Sequence, residues 1–98
     1  MIQDYLSMPK ILTLHPEGKN GVNIDLEKYE SVKDTILFYL IRHPNITFTE
    51  LNQGCTEMLR NQFDGVIGWY VITVQKDLEA RGIIFRRKEK GKVLLSLS

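Results

Sequence analysis

Five cations crowd into seven positions near the end of this 98-residue chain: Arg86, Arg87, Lys88, Lys90 and Lys92, with Glu89 the one acid among them. Cations at that density can neutralise successive phosphates and release their counterions, which gives a salt-sensitive affinity for nucleic acid. Upstream, Thr73, Gln75 and Lys76 stand within four positions. Threonine and lysine suit phosphates or base edges, and glutamine can pair bidentately with adenine. Trp69, Tyr70 and Ile72 come just before them. Exposed together, such side chains would mark a protein interface, since tryptophan is enriched at binding hot spots. Double-stranded DNA and a partner protein are therefore the two occupants these residue types suit.

Catalytic chemistry has less to work with. His15 and His43 lie beside Pro16 and Pro44 at turns, and a metal site built from them and Cys55 would need three distant segments to converge. Cys55 falls on the inner stripe of a helix, where a small buried hydrophobe is expected. Asp77 and Glu79, two positions apart on another helix, point to different sides and cannot act as a paired acid and base. Gly65-Val66-Ile67-Gly68 lacks the lysine and hydroxyl that complete a P-loop. No enzyme activity, catalytic residue, metal, cofactor or small-molecule ligand is expected.

The elements that must position these residues are readable from periodicity. Lys10–Leu14 and Val22–Ile24, separated by the turn formers His15–Gly21, suggest a short extra hairpin. Asp25 is placed to cap a first helix whose inner face is Tyr29, Val32, Ile36, Leu37 and Leu40, and His43-Pro44 ends it. Ile46-Thr47 can supply a minimal strand. Thr47-Phe48-Thr49-Glu50 fits a capping box, and Phe48, Leu51, Cys55 and Met58 or Leu59 give the second helix its stripe. Gly54 within that helix either permits close packing or is merely tolerated. A third helix is expected over about Val66–Arg81, stopped by Gly82. Residues 83–87 and 93–97 follow as strands around a turn at 88–92. On the third helix Ile67, Val71, Val74 and Leu78 face inward. Trp69, Ile72, Thr73, Lys76 and Ala80 face outward, open to a groove or a partner unless residues 10–24 or a second subunit cover them.

This order is the grammar of a winged helix-turn-helix: an α+β fold of three helices plus a C-terminal β-hairpin wing, here with a short N-terminal β extension at 10–24. Residues 1–9 are expected to be a flexible tail, and residues 10–98 a single domain. The length suits one core, and the 43% apolar and 26% charged fractions suit a soluble globular protein. No apolar run nears the roughly 18 residues that span a bilayer. The first nine residues lack a secretory pattern, and Cys55 has no intrachain disulfide partner, so a cytoplasmic location is expected. Charge is unevenly spread. Residues 1–50 carry five Lys/Arg against seven Asp/Glu, a balance of −2, while residues 51–98 carry eight against five, a balance of +3. The basic hairpin also reads as a solvated tip whose lysines discourage edge-to-edge pairing.

Several stretches together bring a family into view: Lys10–Pro16, Gly21–Ile24, Glu27-Lys28-Tyr29, Thr47–Leu51, Trp69-Tyr70-Val71 and Val74–Arg81. The chain resembles a family of small, uncharacterised bacterial winged-helix proteins, and the likeness covers nearly everything after residue 9. What it implies is a compact winged helix with an N-terminal extension; no activity comes with it. Leu78–Ile84 is also similar to the helix-to-wing junction of many bacterial transcriptional regulators.

Two functions follow as expectations. In the first, the chain is a regulatory DNA-binding protein, with Thr73, Gln75 and Lys76 in the major groove and Arg86, Arg87, Lys88, Lys90 and Lys92 on the flanking backbone. A homodimer is then expected, because one small domain buries too little for specificity. In the second, the same fold is a protein-interaction or dimerisation module centred on Trp69, Tyr70 and Ile72.

Overall fold

The computed structural model describes residues 9–19 and 21–97. The tail expected at residues 1–9 lies, Pro9 apart, outside that range. The chain opens with β1 (Lys10–Leu12) and β2 (Asn23–Asp25), paired antiparallel with Ile11 opposite Ile24. Thr13 extends the pairing by donating its N–H to the Val22 carbonyl at 2.9 Å. Three helices follow, α1 (Leu26–Arg42), α2 (Phe48–Leu59) and α3 (Ile67–Ala80), and then a terminal hairpin of β3 (Ile84–Glu89) and β4 (Lys92–Leu97). The class is thus α+β, with three helices and a C-terminal two-stranded antiparallel hairpin. Among the described residues no helix is long and apolar enough to cross a membrane.

The apolar stripes read from periodicity become the core. Val32, Ile36 and Leu40 of α1 meet Leu51, Cys55 and Leu59 of α2 and Val71, Val74 and Leu78 of α3, all buried. Each such side chain stabilises the fold by roughly 1.5–3 kcal/mol over its exposed state. Leu59, rather than the exposed Met58, is the inner residue at the end of α2. Ile84 and Leu95 carry the terminal hairpin into the same core. Ile46 joins it too: its N–H and carbonyl both bond Leu95, at 3.2 and 2.7 Å, as an isolated antiparallel bridge.

Local signals explain most element ends. Thr47 and Glu50 form the complete capping box of α2, with Glu50 N–H donating to the Thr47 hydroxyl at 3.2 Å and Thr47 N–H to the Glu50 carboxylate at 3.1 Å. At the end of α3, Gly82 takes φ +78°, its N–H bonds the Glu79 carbonyl and that of Ile83 bonds Leu78. This is a Schellman ending, which only a left-handed residue completes cheaply. Gly54 is there for close packing: a β-carbon on it would sit 2.2 Å from the Tyr39 ring.

One cap departs from expectation. Asp25 makes no side-chain bond to the first turn of α1. It ends β2 directly opposite Lys10, whose ammonium lies 4.0 Å from its carboxylate. The first turn instead finds the Pro9 carbonyl, which accepts from Leu26 N–H at 3.0 Å. Strand register outcompetes the local cap.

Candidate interaction cleft

The outward side of α3 is the candidate site, and the N-terminal hairpin decides its shape. A buried carboxylate fixes their relation. Asp77, fully buried on α3, accepts from the Tyr29 hydroxyl of α1, from Leu14 N–H at 2.8 Å and from Arg81 Nε at 2.9 Å. Burial, and then the bond to Asp77, push the Tyr29 phenol well above its ordinary range. The same ion pair raises the Arg81 guanidinium. A charge in the core persists only when paired and hydrogen-bonded, and here all three partners come from different stretches of chain. The consequence is positional: Leu14 is stapled to α3, and the segment after β1 runs beside the helix.

Between that segment and α3 lies a cleft of about 210 Å³. Its apolar lining is Leu14 and Val22 from the hairpin and Trp69 and Ile72 from α3. They remain 43%, 40%, 44% and 37% exposed respectively, so residues 10–24 flank the outer face without sealing it. Thr73 and Lys76 complete the cleft on the α3 side, both half-buried. A second hollow of about 220 Å³, lined by His15, Glu17, Lys76, Glu79 and Arg86, adjoins it through His15 and Lys76. Charges there are mostly matched. Lys19 pairs with Glu17 at 2.9 Å and holds its carboxyl below the usual range, while Arg86 grips Glu79 through two bonds of 2.9 and 3.1 Å. Lys76 is in no ion pair among the described residues.

The residues expected to read DNA do not gather on one open surface. Gln75 is 1% exposed and donates to Glu79, so it has no free amide for a base. The Glu79 carboxylate that takes its amide is the one Arg86 holds. Arg86 is committed to Glu79, and Arg87 to Glu89 at 3.0 Å and the Asn45 side-chain carbonyl at 3.1 Å. Lys88, Lys90 and Lys92 stay exposed around the hairpin turn, in no ion pair among the described residues. That turn is tighter than expected, since the strands run on to Glu89 and back from Lys92.

The interface expected at Trp69, Tyr70 and Ile72 is altered in one member. Tyr70 is half-buried and packs its ring on Phe63 at 4.9 Å and Trp69 at 5.0 Å, with the Lys28 ammonium 5.4 Å from its centroid. It braces Trp69 from behind, and only Trp69 and Ile72 line the cleft. Leu14 and Val22 are the lining residues that helix periodicity could not find. Their signal was the alternating pattern of residues 10–24, which marked a hairpin but not its destination.

The remaining chemistry-bearing side chains are taken up locally. His15 Nδ1 accepts from Glu17 N–H at 3.2 Å, and His43 stacks on Tyr39 with ring centroids 4.3 Å apart. Cys55 is buried, which pushes its thiol up to about 12. Among the described residues no cluster of three His, Cys, Asp or Glu could hold a metal ion. A wider groove of about 580 Å³ at the start of α1 sets Asp25, Glu27, Glu30 and Asp64 against Lys28 alone, the wrong sign for a polyanion.

Residues 10–94 match a family described as "Family of unknown function (DUF6958)". The chain belongs to that family. The match starts at β1 and runs into β4, so both walls of the cleft fall within the matched residues. No curated protein and no solved structure matches the chain.

Proposed function

We propose that this DUF6958 chain is a winged helix used as a protein-interaction module, with the cleft between the N-terminal hairpin and α3 as its working surface. The order of helices, the single bridge from Ile46 and the terminal hairpin support the winged-helix reading. One observation carries the functional half: four large apolar side chains, Leu14, Val22, Trp69 and Ile72, stand together and exposed where a DNA reader needs polar groups. An exposed apolar cluster around a tryptophan suits a partner's buried anchor. A major groove offers it only thymine methyls.

The test is selection of short displayed peptides on the immobilised chain, repeated on Ile72→Glu. Enriched sequences should carry a large apolar anchor and lose binding to the variant. Failure to enrich any sequence, or retention on Ile72→Glu, overturns the reading. Light scattering adds the self-association arm: a dimer that dissociates in Trp69→Ala would make the partner a second copy.

A second reading keeps DNA, carried by the exposed Lys88, Lys90 and Lys92 at the tip of the wing, with Thr73 and Lys76 on the neighbouring helix. Three phosphate contacts predict that affinity for a random duplex falls roughly 40-fold between 50 and 200 mM salt. Fluorescence anisotropy on wild type and the triple alanine variant decides it: no binding at low salt ends that reading.

A further inference from the structure

The cleft is small. Its volume of about 210 Å³ exceeds the roughly 150 Å³ cavity that accepts benzene but falls short of the ~300–1,000 Å³ typical of pockets for larger ligands. It holds one ring-sized group. Trp69, Ile72, Leu14 and Val22 give that group apolar walls. Lys76 lies one helical turn past Ile72, about 6 Å along the axis. It is near enough to Glu17 to help hold that carboxyl low, but no direct ion pair within 4 Å occupies its ammonium among the described residues, whereas Lys19 holds Glu17 and Arg86 holds Glu79. The favoured occupant thus couples a single apolar group to a single anion at about that spacing.

The hairpin rim says which part of a protein supplies it. Thr13 N–H and the Thr13 hydroxyl both donate to the Val22 carbonyl, Val22 N–H donates back to the hydroxyl, and Leu14 N–H is held by Asp77. A strand laid across this rim would find these groups already bonded. Each of its own amides that became buried without a partner would cost about 1–3 kcal/mol. A chain end needs no such ladder, because its last residue offers a side chain and a carboxylate together. Terminal carboxylates are elsewhere captured by clustered backbone N–H groups; here the Lys76 side chain supplies the positive partner.

We propose that the cleft takes the C-terminal residue of a partner protein, its aromatic or large aliphatic side chain against Trp69 and Ile72 and its terminal carboxylate on the Lys76 ammonium, an inference that rests on the protein-binding reading of this cleft. Thr73, one turn before Lys76 on the same side, places a hydroxyl beside the carboxylate. The N-terminal hairpin serves as the second wall, so Asp77, by stapling Leu14, is a positioning residue for the site.

Trp69 is the chain's only tryptophan, so its fluorescence reports the cleft directly. The full chain is titrated with acetyl-Ala-Ala-Phe bearing a free carboxyl, with the same peptide amidated, and with 3-phenylpropionate. All three are repeated on Lys76→Met, with its melting curve compared to wild type; should that variant fail to fold, Lys76→Gln replaces it. The free-carboxyl peptide should saturate the signal, and the amide should bind about fivefold more weakly, the factor of one half-exposed ion pair. Lys76→Met should abolish that difference and leave the amide unaffected. Equal binding of acid and amide overturns carboxylate capture while leaving an apolar protein-binding cleft. Binding of none of the three overturns both. If 3-phenylpropionate binds as tightly as the peptide acid, the site serves free acids and the chain-end assignment is wrong.

Discussion

Replacing Asp77 should unfasten the N-terminal hairpin and destabilise the core at once, by an amount that depends on what replaces it. In Asp77→Ala the Tyr29 hydroxyl and Leu14 N–H both lose their acceptor, and Arg81 loses its counterion. Breaking a buried charged site typically costs about 3–5 kcal/mol, consistent with two orphaned donors at ~1–3 kcal/mol each. Asp77→Asn keeps one acceptor for Leu14, and the Tyr29 hydroxyl can turn to accept from the new amide. Only the Arg81 pair, with that side chain 35% exposed, is lost outright, so about 1 kcal/mol or less is expected. A domain of this size melts roughly 4–8 °C lower per kcal/mol, so alanine should lower Tm by more than about 12 °C and asparagine by about half that or less. Tyr29→Phe should cost about 1.5–3 kcal/mol in wild type and much less in Asp77→Ala, because its partner is already gone. Urea denaturation of the four variants, with amide hydrogen exchange at Leu14, measures all of this. Equal costs for alanine and asparagine, additive effects of Tyr29→Phe and Asp77→Ala, or unchanged protection at Leu14 would refute the latch.

Three further outcomes test other parts of the account. Gly54→Ala should destabilise by about 1–3 kcal/mol in denaturant melts, because the clash with Tyr39 outweighs the roughly 1 kcal/mol that alanine gains in a helix. Thr47→Ala should cost about 1 kcal/mol by the same assay, through loss of the capping bond to Glu50. Stability should fall at alkaline pH. Tyr29 and Cys55 are both held neutral in the fold above their ordinary ranges, so the unfolded chain loses these protons first and binds fewer of them. Stability is full below about pH 8.5 and declines from there towards pH 12, and urea midpoints at pH 8 and 10.5 should show a smaller decline in Cys55→Ala.

What the sequence made legible is local or periodic. The capping box at Thr47 and Glu50, the stop at Gly82 and the inner stripes of all three helices involve residues within a few positions of each other, and each is found as read. The α+β class and the terminal hairpin follow from the same signals. What stayed hidden depends on distant partners. Asp77 sits in a charged run, Lys76-Asp77-Leu78-Glu79-Ala80-Arg81, that looks like a solvated face. It is buried because Leu14 and Tyr29, 63 and 48 positions away, bring donors to it. Gln75 looked free for the mirror-image reason: its partner Glu79 is also held by Arg86, which the returning hairpin brings to α3. Asp25 had the right residue type for a cap, but strand pairing with Lys10 claimed it. Half of the cleft was likewise visible. Trp69 and Ile72 follow from helical spacing, whereas Leu14 is brought there by Asp77 and Val22 by its pairing with Thr13.

The most direct measurement follows the Trp69 indole N–H by NMR while the chain is titrated separately with acetyl-Ala-Ala-Phe and with a random DNA duplex at low salt. The cleft account predicts a saturating shift with the peptide, moving together with Leu14, Val22 and Ile72, and no shift of these signals with DNA beyond changes confined to Lys88, Lys90 and Lys92. A Trp69 signal that moves with the duplex and ignores the peptide would contradict it.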